Sequence, residues 1–296
     1  YSQRVKFTTA RSTTNTSDHF VLGTRLEGQN LQHLNKGTSN AKSLTVSFYA
    51  KASQSTTIQL ELYDADNSRH AGKEFAITTS WAKYSYTFAG DTTGAFDNDN
   101  ALSLYVFFWL GAGTDFTSGT NPDGSWIANT NTRRVHSDVG TTFMDTLNAE
   151  FNLTGVQLEV GETATPFEHE SYDTTIQKCY RYYYRTDLNL DTPSPYILGS
   201  YALAVGATLA WCITDYPVPM RIRPTALEQS GTASDYGVLR CGSSTAVTCS
   251  AVPVFAGGTN LTRGMAQFTA SGLTNGAAGL PMNNTTNGYL AWSAEL

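Results

Sequence analysis

The sequence predicts two all-β domains in series: a jelly-roll β-sandwich over residues 1–170 and a smaller β-sandwich over 171–296. Three observations carry this. Only 15% of the 296 residues are charged, while Gly, Thr, Ser, Asn and Tyr abound, which is the composition of a turn-rich β protein with a neutral polar surface. Apolar residues recur at every second position in short runs, with Gly, Asn and Pro between them. One break stands out, where Gly161 and Pro166 end a strand and 171–178 offers a hinge helix.

The first domain has candidate strands at 4–9, 19–26, 43–51, 57–63, 73–77, 83–89, 101–110 and 151–160. Their count and spacing suit two packed sheets. In 57–63, Ile58, Leu60 and Leu62 alternate with Thr57, Gln59, Glu61 and Tyr63. In 81–88, Tyr84, Tyr86 and Phe88 share a face, and Trp81 is expected in the core, as is Trp109. The run 102–110 is apolar throughout, as in a strand buried on both faces, and is too short to cross a membrane. In 151–160 the face carrying Val156, Leu158 and Val160 is expected to pack inward. A long Gly/Asn/Thr/Asp-rich excursion fills 111–150 and holds the turn Asn121-Pro122-Asp123-Gly124. In the second domain, strands are expected at 181–185, 201–208, 210–216, 226–229, 266–270 and 288–294.

Composition excludes several functions. A net charge of −6 leaves no basic footprint for nucleic acid, and no apolar run reaches the length of a membrane helix. The chain starts at Tyr1 with neither an initiator Met nor a signal-peptide pattern, and is expected to be the C-terminal portion of something longer. Cys179, Cys212, Cys241 and Cys249 fit neither a zinc nor a redox spacing. They read as free thiols, although Cys241 and Cys249 are spaced to close a hairpin loop.

Catalytic patterns are missing. None of the five histidines pairs at i, i+4, and no G-x-S-x-G elbow occurs. His169 lies between Glu168 and Glu170, but alternation turns it away from both. No enzyme is expected. Candidate binding residues remain. Trp126 and Tyr63, with Tyr105 and Trp109, offer ring faces for the C–H side of a pyranose. Asn121 and Asp123 sit beside Trp126 in the polar excursion. For each Trp, core packing is the rival reading. Asp64, Asp66 and Asn67 place oxygens on one tight turn, as do Asp97, Asn98, Asp99 and Asn100. These suit calcium, or serve only as turn formers. Tyr180, Arg181, Tyr182, Tyr183, Tyr184 and Arg185 are interface-type residues: one side is expected on the domain core, the other against a neighbouring domain or subunit.

Five motifs carry a resemblance: GVQLEVG at 155–161 with ATPFE at 164–168, CYRYYYR at 179–185, SLTVSFYAK at 43–51, MRIRPT at 220–225 and the terminal AEL. In wording and order they resemble tailed-phage virion structural proteins of the tail-fibre, head-fibre or decoration type. These join a carbohydrate-binding-module-like jelly roll to a small C-terminal β domain. The resemblance implies a non-enzymatic virion protein, assembled in the host cytoplasm as a homo-oligomer, a trimer, beside other virion proteins. It also implies host-surface glycan contact, and adds weight to a structural Ca2+. The excursion 111–140 and the segment 272–288 are the expected host-contact loops. Two alternatives stay open: an architectural decoration protein without a glycan site, and a secreted carbohydrate-binding module.

Overall fold

A computed structural model describes residues 2–11, 15–139, 142–186 and 197–295. The chain divides into two compact units, Tyr1–His169 and Glu170–Glu295. Both are β-sandwiches.

Among the described residues, the first unit has nine strands: β1 (Gln3–Lys6), β2 (His19–Glu27), β3 (Leu44–Ala52), β4 (Thr56–Asp64), β5 (Arg69–Ile77), β6 (Ala82–Phe88), β7 (Leu102–Ala112), β8 (Ile127–Ala128) and β9 (Glu150–Val160). Short helices α1 (Thr114–Thr117) and α2 (Thr142–Asp145) lie within the excursion. One sheet runs β1-β9-β3-β6 and the other β2-β7-β4-β5-β8. Alternation explains the layering. Val46, Phe48 and Ala50 of β3 meet Ile58, Leu60 and Leu62 of β4 and Leu104, Val106 and Phe108 of β7 in one core. Phe48 packs edge-on to Phe108 and Phe75 at centroid distances of 5.0 and 5.2 Å.

Two expectations change here. Trp81 is not core: it is 44% exposed, with Lys51 Nζ 5.4 Å from its ring centre. In β9 a bulge intervenes. Ser47 pairs with Gln157 but Tyr49 with Thr154, and Gly155 takes φ +57°. The extra residue switches parity, so Phe151 and Leu153 face the core before it and Leu158 after it. Val156 and Val160 stay exposed. A Cβ at Gly155 would be strained by that φ and would sit 3.0 Å from the Tyr49 ring, so glycine is favoured.

The bulge belongs to the GVQLEVG motif, and hydrogen bonds explain why ATPFE accompanies it. Glu159 accepts from the Thr165 amide and hydroxyl at 2.9 and 2.7 Å. Those two bonds hold its carboxyl below the usual range. Gln157 accepts from the Glu168 amide at 2.8 Å. Side chains of the last strand thus bind the exiting backbone along its length.

The second unit opens with α3 (Tyr172–Tyr180), capped by Ser171 through the Thr174 amide. Then come β10 (Tyr183–Arg185), β11 (Tyr201–Ala204), β12 (Leu209–Asp215), β13 (Glu228–Gln229), β14 (Tyr236–Arg240), β15 (Ala246–Thr248), β16 (Ala251–Phe255), β17 (Arg263–Thr269), β18 (Ala278–Asn283) and β19 (Leu290–Ser293). One sheet runs β15-β14-β18-β11-β12-β17-β16 and the other β10-β19-β13. The fully buried Trp292 and Phe268 lie in its core with Cys212 and Tyr236. Gly264 lets Trp292 in: a Cβ there would lie 2.3 Å from the indole.

The segment 272–288 is not a loop. It contains β18, paired on one side with β14 and on the other with β11. Gly279 and Pro281 disguise it in the sequence. Pro281 has no N–H to give, but its carbonyl accepts from Leu198 N–H at 2.8 Å. The four cysteines are free thiols, with Cys212 and Cys249 buried. Burial pushes the Cys249 thiol up to about 12. Among the described residues, no helix is long and apolar enough to cross a membrane.

Candidate functional site

The outer face of the five-stranded sheet carries the first unit's polar chemistry. Glu61, Gln59 and Tyr63 point outward from β4, opposite Phe107, Trp109 and Tyr105 of β7. The excursion after β7 folds back over them. Trp109, Ala112, Val135 and Val139 form a separate small core beneath it. Glu61, fully buried, fastens the cover. It accepts two bonds from Arg134, at 2.9 and 2.8 Å, and one from Trp109 Nε1 at 2.8 Å. Its other neighbour is His70 Nδ1 at 3.2 Å. Burial acts to raise the Glu61 carboxyl, but His70 beside it and the bonds from Arg134 prevail and hold it below its ordinary value.

Arg134 changes the meaning of the aromatics. Its guanidinium lies 4.9 Å from the Tyr63 ring centre and 5.0 Å from that of Trp109. One Tyr63 face therefore carries an arginine. Tyr105 is half-buried, stacked on Phe107 at 4.6 Å, with Arg25 5.6 Å from its centre. Trp126 packs against the main core and donates Nε1–H to Ala89 O at 2.9 Å. Its ring serves as a packing element, the rival reading at this position.

At the turn 64–67, where calcium binding and plain turn formation were both open, Asp64 meets a cation of the chain. Asp64, 0% exposed, faces Lys36 Nζ at 2.5 Å, and Asp91 faces the same ammonium at 3.1 Å. Thr93 O and Gly94 O accept from it at 2.8 Å each. Asp64 also accepts from Asn67 N at 3.0 Å. Asp66 accepts from Asp97 N at 3.0 Å. The cation held beside Asp64 is a lysine of the chain itself, and Asp66 serves as a turn clamp. In the second turn, Asp99 Oδ1 likewise accepts from Ala101 N at 2.9 Å.

Asn121 and Asp123 are brought together with residues from β5. An open cleft of about 540 Å³ is lined by Lys73, Glu74, residues 117–121, Asp123, His136 and Ser137. Asp123 Oδ1 meets Lys73 Nζ at 2.5 Å, which raises the lysine's pKa. Asn121 Nδ2 donates to Arg133 O and Arg134 O at 3.1 Å each. The sequence reading missed Lys73, Glu74 and His136. Their only sequence signal is outward parity on β5 for Glu74; nothing local joins them to 117–138.

The tyrosine tract is built into the second unit. Tyr180 closes α3 rather than opening a strand, so strict alternation fails there. Tyr180 and Tyr184 meet edge-on at 5.3 Å, and Tyr184 packs on the unit's core. Tyr183 donates its hydroxyl to Glu228 at 3.1 Å; burial and that carboxylate push its pKa up to about 12. Arg185 lies 3.7 Å from the Tyr289 ring centre. Arg181 O accepts from Arg221 N at 2.7 Å, and Tyr182 O from Ala294 N at 2.7 Å. Tyr180, Tyr183, Tyr184 and Arg185 are engaged inside their own unit through side chains, and Arg181 and Tyr182 through their carbonyls.

No protein family and no curated protein matches the chain. Among solved structures it is similar to a module described under "CBM4 structure and function", at 14% identity and a TM-score of 0.28, over 53% of this chain and 71% of that one. It is also similar to the N-terminal CBM22-1–CBM22-2 tandem domain of Paenibacillus barcinonensis Xyn10C, at 9% identity and a TM-score of 0.23, over 99% and 96% of the two chains. What this protein does has to be read from its own side chains.

Proposed function

We propose that this is a non-enzymatic virion surface protein that contacts host glycans through the cleft between β5 and the 117–138 segment. The cleft carries the reading. It is open, walled by ammonium, carboxylate, amide and hydroxyl groups, and held by the clamps of Arg134 and Asn121. Such groups match sugar hydroxyls, and a site on a rigid support loses little entropy on binding. Weak single sites gain from several copies. Asp123→Asn, which tolerates the residue's φ of +47°, is expected to reduce binding on a glycan array or to host cells by about tenfold, the scale of one charge-assisted hydrogen bond, with the melting temperature nearly unchanged. Binding equal to wild type removes the cleft from consideration.

An exposed apolar row supports self-association, which the trimer needs. On the outer face of the seven-stranded sheet, Leu203, Trp211, Gln267 and Val254 lie in register across four strands. Leu203, Trp211 and Val254 are exposed, as is Tyr201. An aromatic-bearing apolar row of this kind suits burial against another copy. Light scattering is expected to give three times 32.1 kDa, and Trp211→Glu to shift it toward the monomer. A wild-type monomer with intact glycan binding favours the isolated-module reading; a trimer without glycan binding favours pure architecture.

A further inference from the structure

We infer that Glu74, His136 and Asp138 form a binding site for a divalent transition cation of the zinc class, at one wall of the cleft. The inference is independent of glycan binding. One ligand atom from each of the three side chains lies within 4.8 Å of the others. Glu74 Oε2 is 3.0 Å from His136 Nδ1, and Asp138 Oδ1 is 3.8 Å from it. With metal–ligand bonds of about 2.0–2.2 Å, ligand atoms around one ion sit about 3.0–3.5 Å apart, so only Asp138, at the exposed end, has to move inward.

Two observations point to a cation rather than to an ordinary ion pair. Glu74 Oε2 is shielded from solvent and no donor is aimed at it, although the Glu74 side chain as a whole is 34% exposed. Meanwhile Asp138 N–H points at His136 Nδ1 at 3.2 Å, a contact made when that nitrogen offers its lone pair. In the tautomer that accepts this amide, two acceptors face each other at 3.0 Å. A positive ion between them turns that repulsion into coordination, and the long amide contact is weak enough to yield. The donor set of one imidazole nitrogen and two carboxylates suits Zn2+ and its first-row neighbours better than Ca2+, which takes oxygen alone.

The site is also held from behind. The fully buried Gln59 sits opposite Glu74 in the β4–β5 ladder. Its Oε1 accepts from His136 N at 3.1 Å and its Nε2 donates to Arg134 O at 3.3 Å. One amide thus fixes the histidine's backbone beside the strand that carries the glutamate. Such outer partners orient metal ligands. Lys73, the cation next to Glu74 on β5, is paired with Asp123.

The test is Zn2+ titration of the tag-free chain in competition with a chromophoric chelator. One saturable equivalent is expected. Glu74→Gln and His136→Ala are each expected to weaken it by at least ~10–100-fold, the loss typical of removing even an outer partner. His33→Ala, an exposed histidine elsewhere, is expected to bind as wild type. Both ligand positions are partly exposed, so the variants should fold, and circular dichroism checks this. Absence of saturable binding in the wild type, or His136→Ala binding as tightly as wild type, overturns the site and leaves Glu74 and His136 an ion pair.

Discussion

Lys36→Met is expected to cost the first unit about 3–5 kcal/mol, the scale for breaking a buried ion pair by removing one partner. Lys36 is 5% exposed, Asp64 0% and Asp91 4%. Two carboxylates and two carbonyls converge on the one ammonium, and Phe96 covers it at 5.1 Å. Arg69 pairs with Asp91 through bonds of 2.7 and 3.0 Å, so Asp91 keeps a partner after the change. Asp64 loses this ammonium and keeps Asn67. Methionine fills the stem's volume without supplying charge, which separates the electrostatic loss from a cavity. Urea denaturation of the wild type and variant measures the difference. A loss under about 1 kcal/mol would mean that water or a solvent cation replaces the ammonium. Lys36→Ala leaves an all-oxygen cage, and added Ca2+ is expected to restore part of its stability.

Glu61→Ala is the second large effect, again about 3–5 kcal/mol. It strips Arg134 of both carboxylate bonds and Trp109 of its acceptor, all at a fully buried position. The cover over β7 should loosen before the sandwich does, so hydrogen exchange is expected to rise first at the Val135 and His136 amides. Exchange unchanged at those amides would show that Val135 and Val139, both fully buried, hold the segment without the ion pair. The pH dependence comes from the same group. Glu61 and Asp91 are held below their ordinary values of 4.5 and 3.8. For Asp91, burial opposes the shift, while Arg69, the Thr93 amide and Lys36 produce it. In acid the unfolded chain therefore binds more protons than the folded one. Their stabilisation is fully present above pH 4.5 and is lost as pH falls through the depressed values. The melting temperature should fall below that pH, and less steeply in a Glu61→Gln variant.

The architecture was legible from the residues alone. Alternation in 57–63 placed Ile58, Leu60 and Leu62 in the core, because period two leaves a strand only one way to bury its apolar set. The hinge helix could be read from the end of the strand pattern at Gly161 and Pro166, while its Ser171 cap emerged in the structure. Motif wording was readable too, but its cause is tertiary: Arg221 of MRIRPT donates to Ala294 O and Glu295 O at 2.8 and 2.9 Å, and its amide to Arg181 O of CYRYYYR. Three short strings that resemble one family in order are, in space, one cluster of bonds.

Partnership, by contrast, was settled only by the folded chain. No local pattern tells that Lys36 stands beside Asp64, because the two are distant in sequence and meet only when the sheets close. A one-residue bulge at Gly155 reversed the parity of β9, and period-two reading has no means of seeing an inserted residue. Gly279 and Pro281 hid a central strand, since turn chemistry outweighs pattern until neighbouring strands supply the hydrogen bonds. The cleft obeys the same rule. Asn121 and Asp123 were visible as a turn, but Lys73, Glu74 and His136 join them only because the excursion folds back across β4 and β5, a long-range contact held by Glu61 and Gln59 in the sheet beneath.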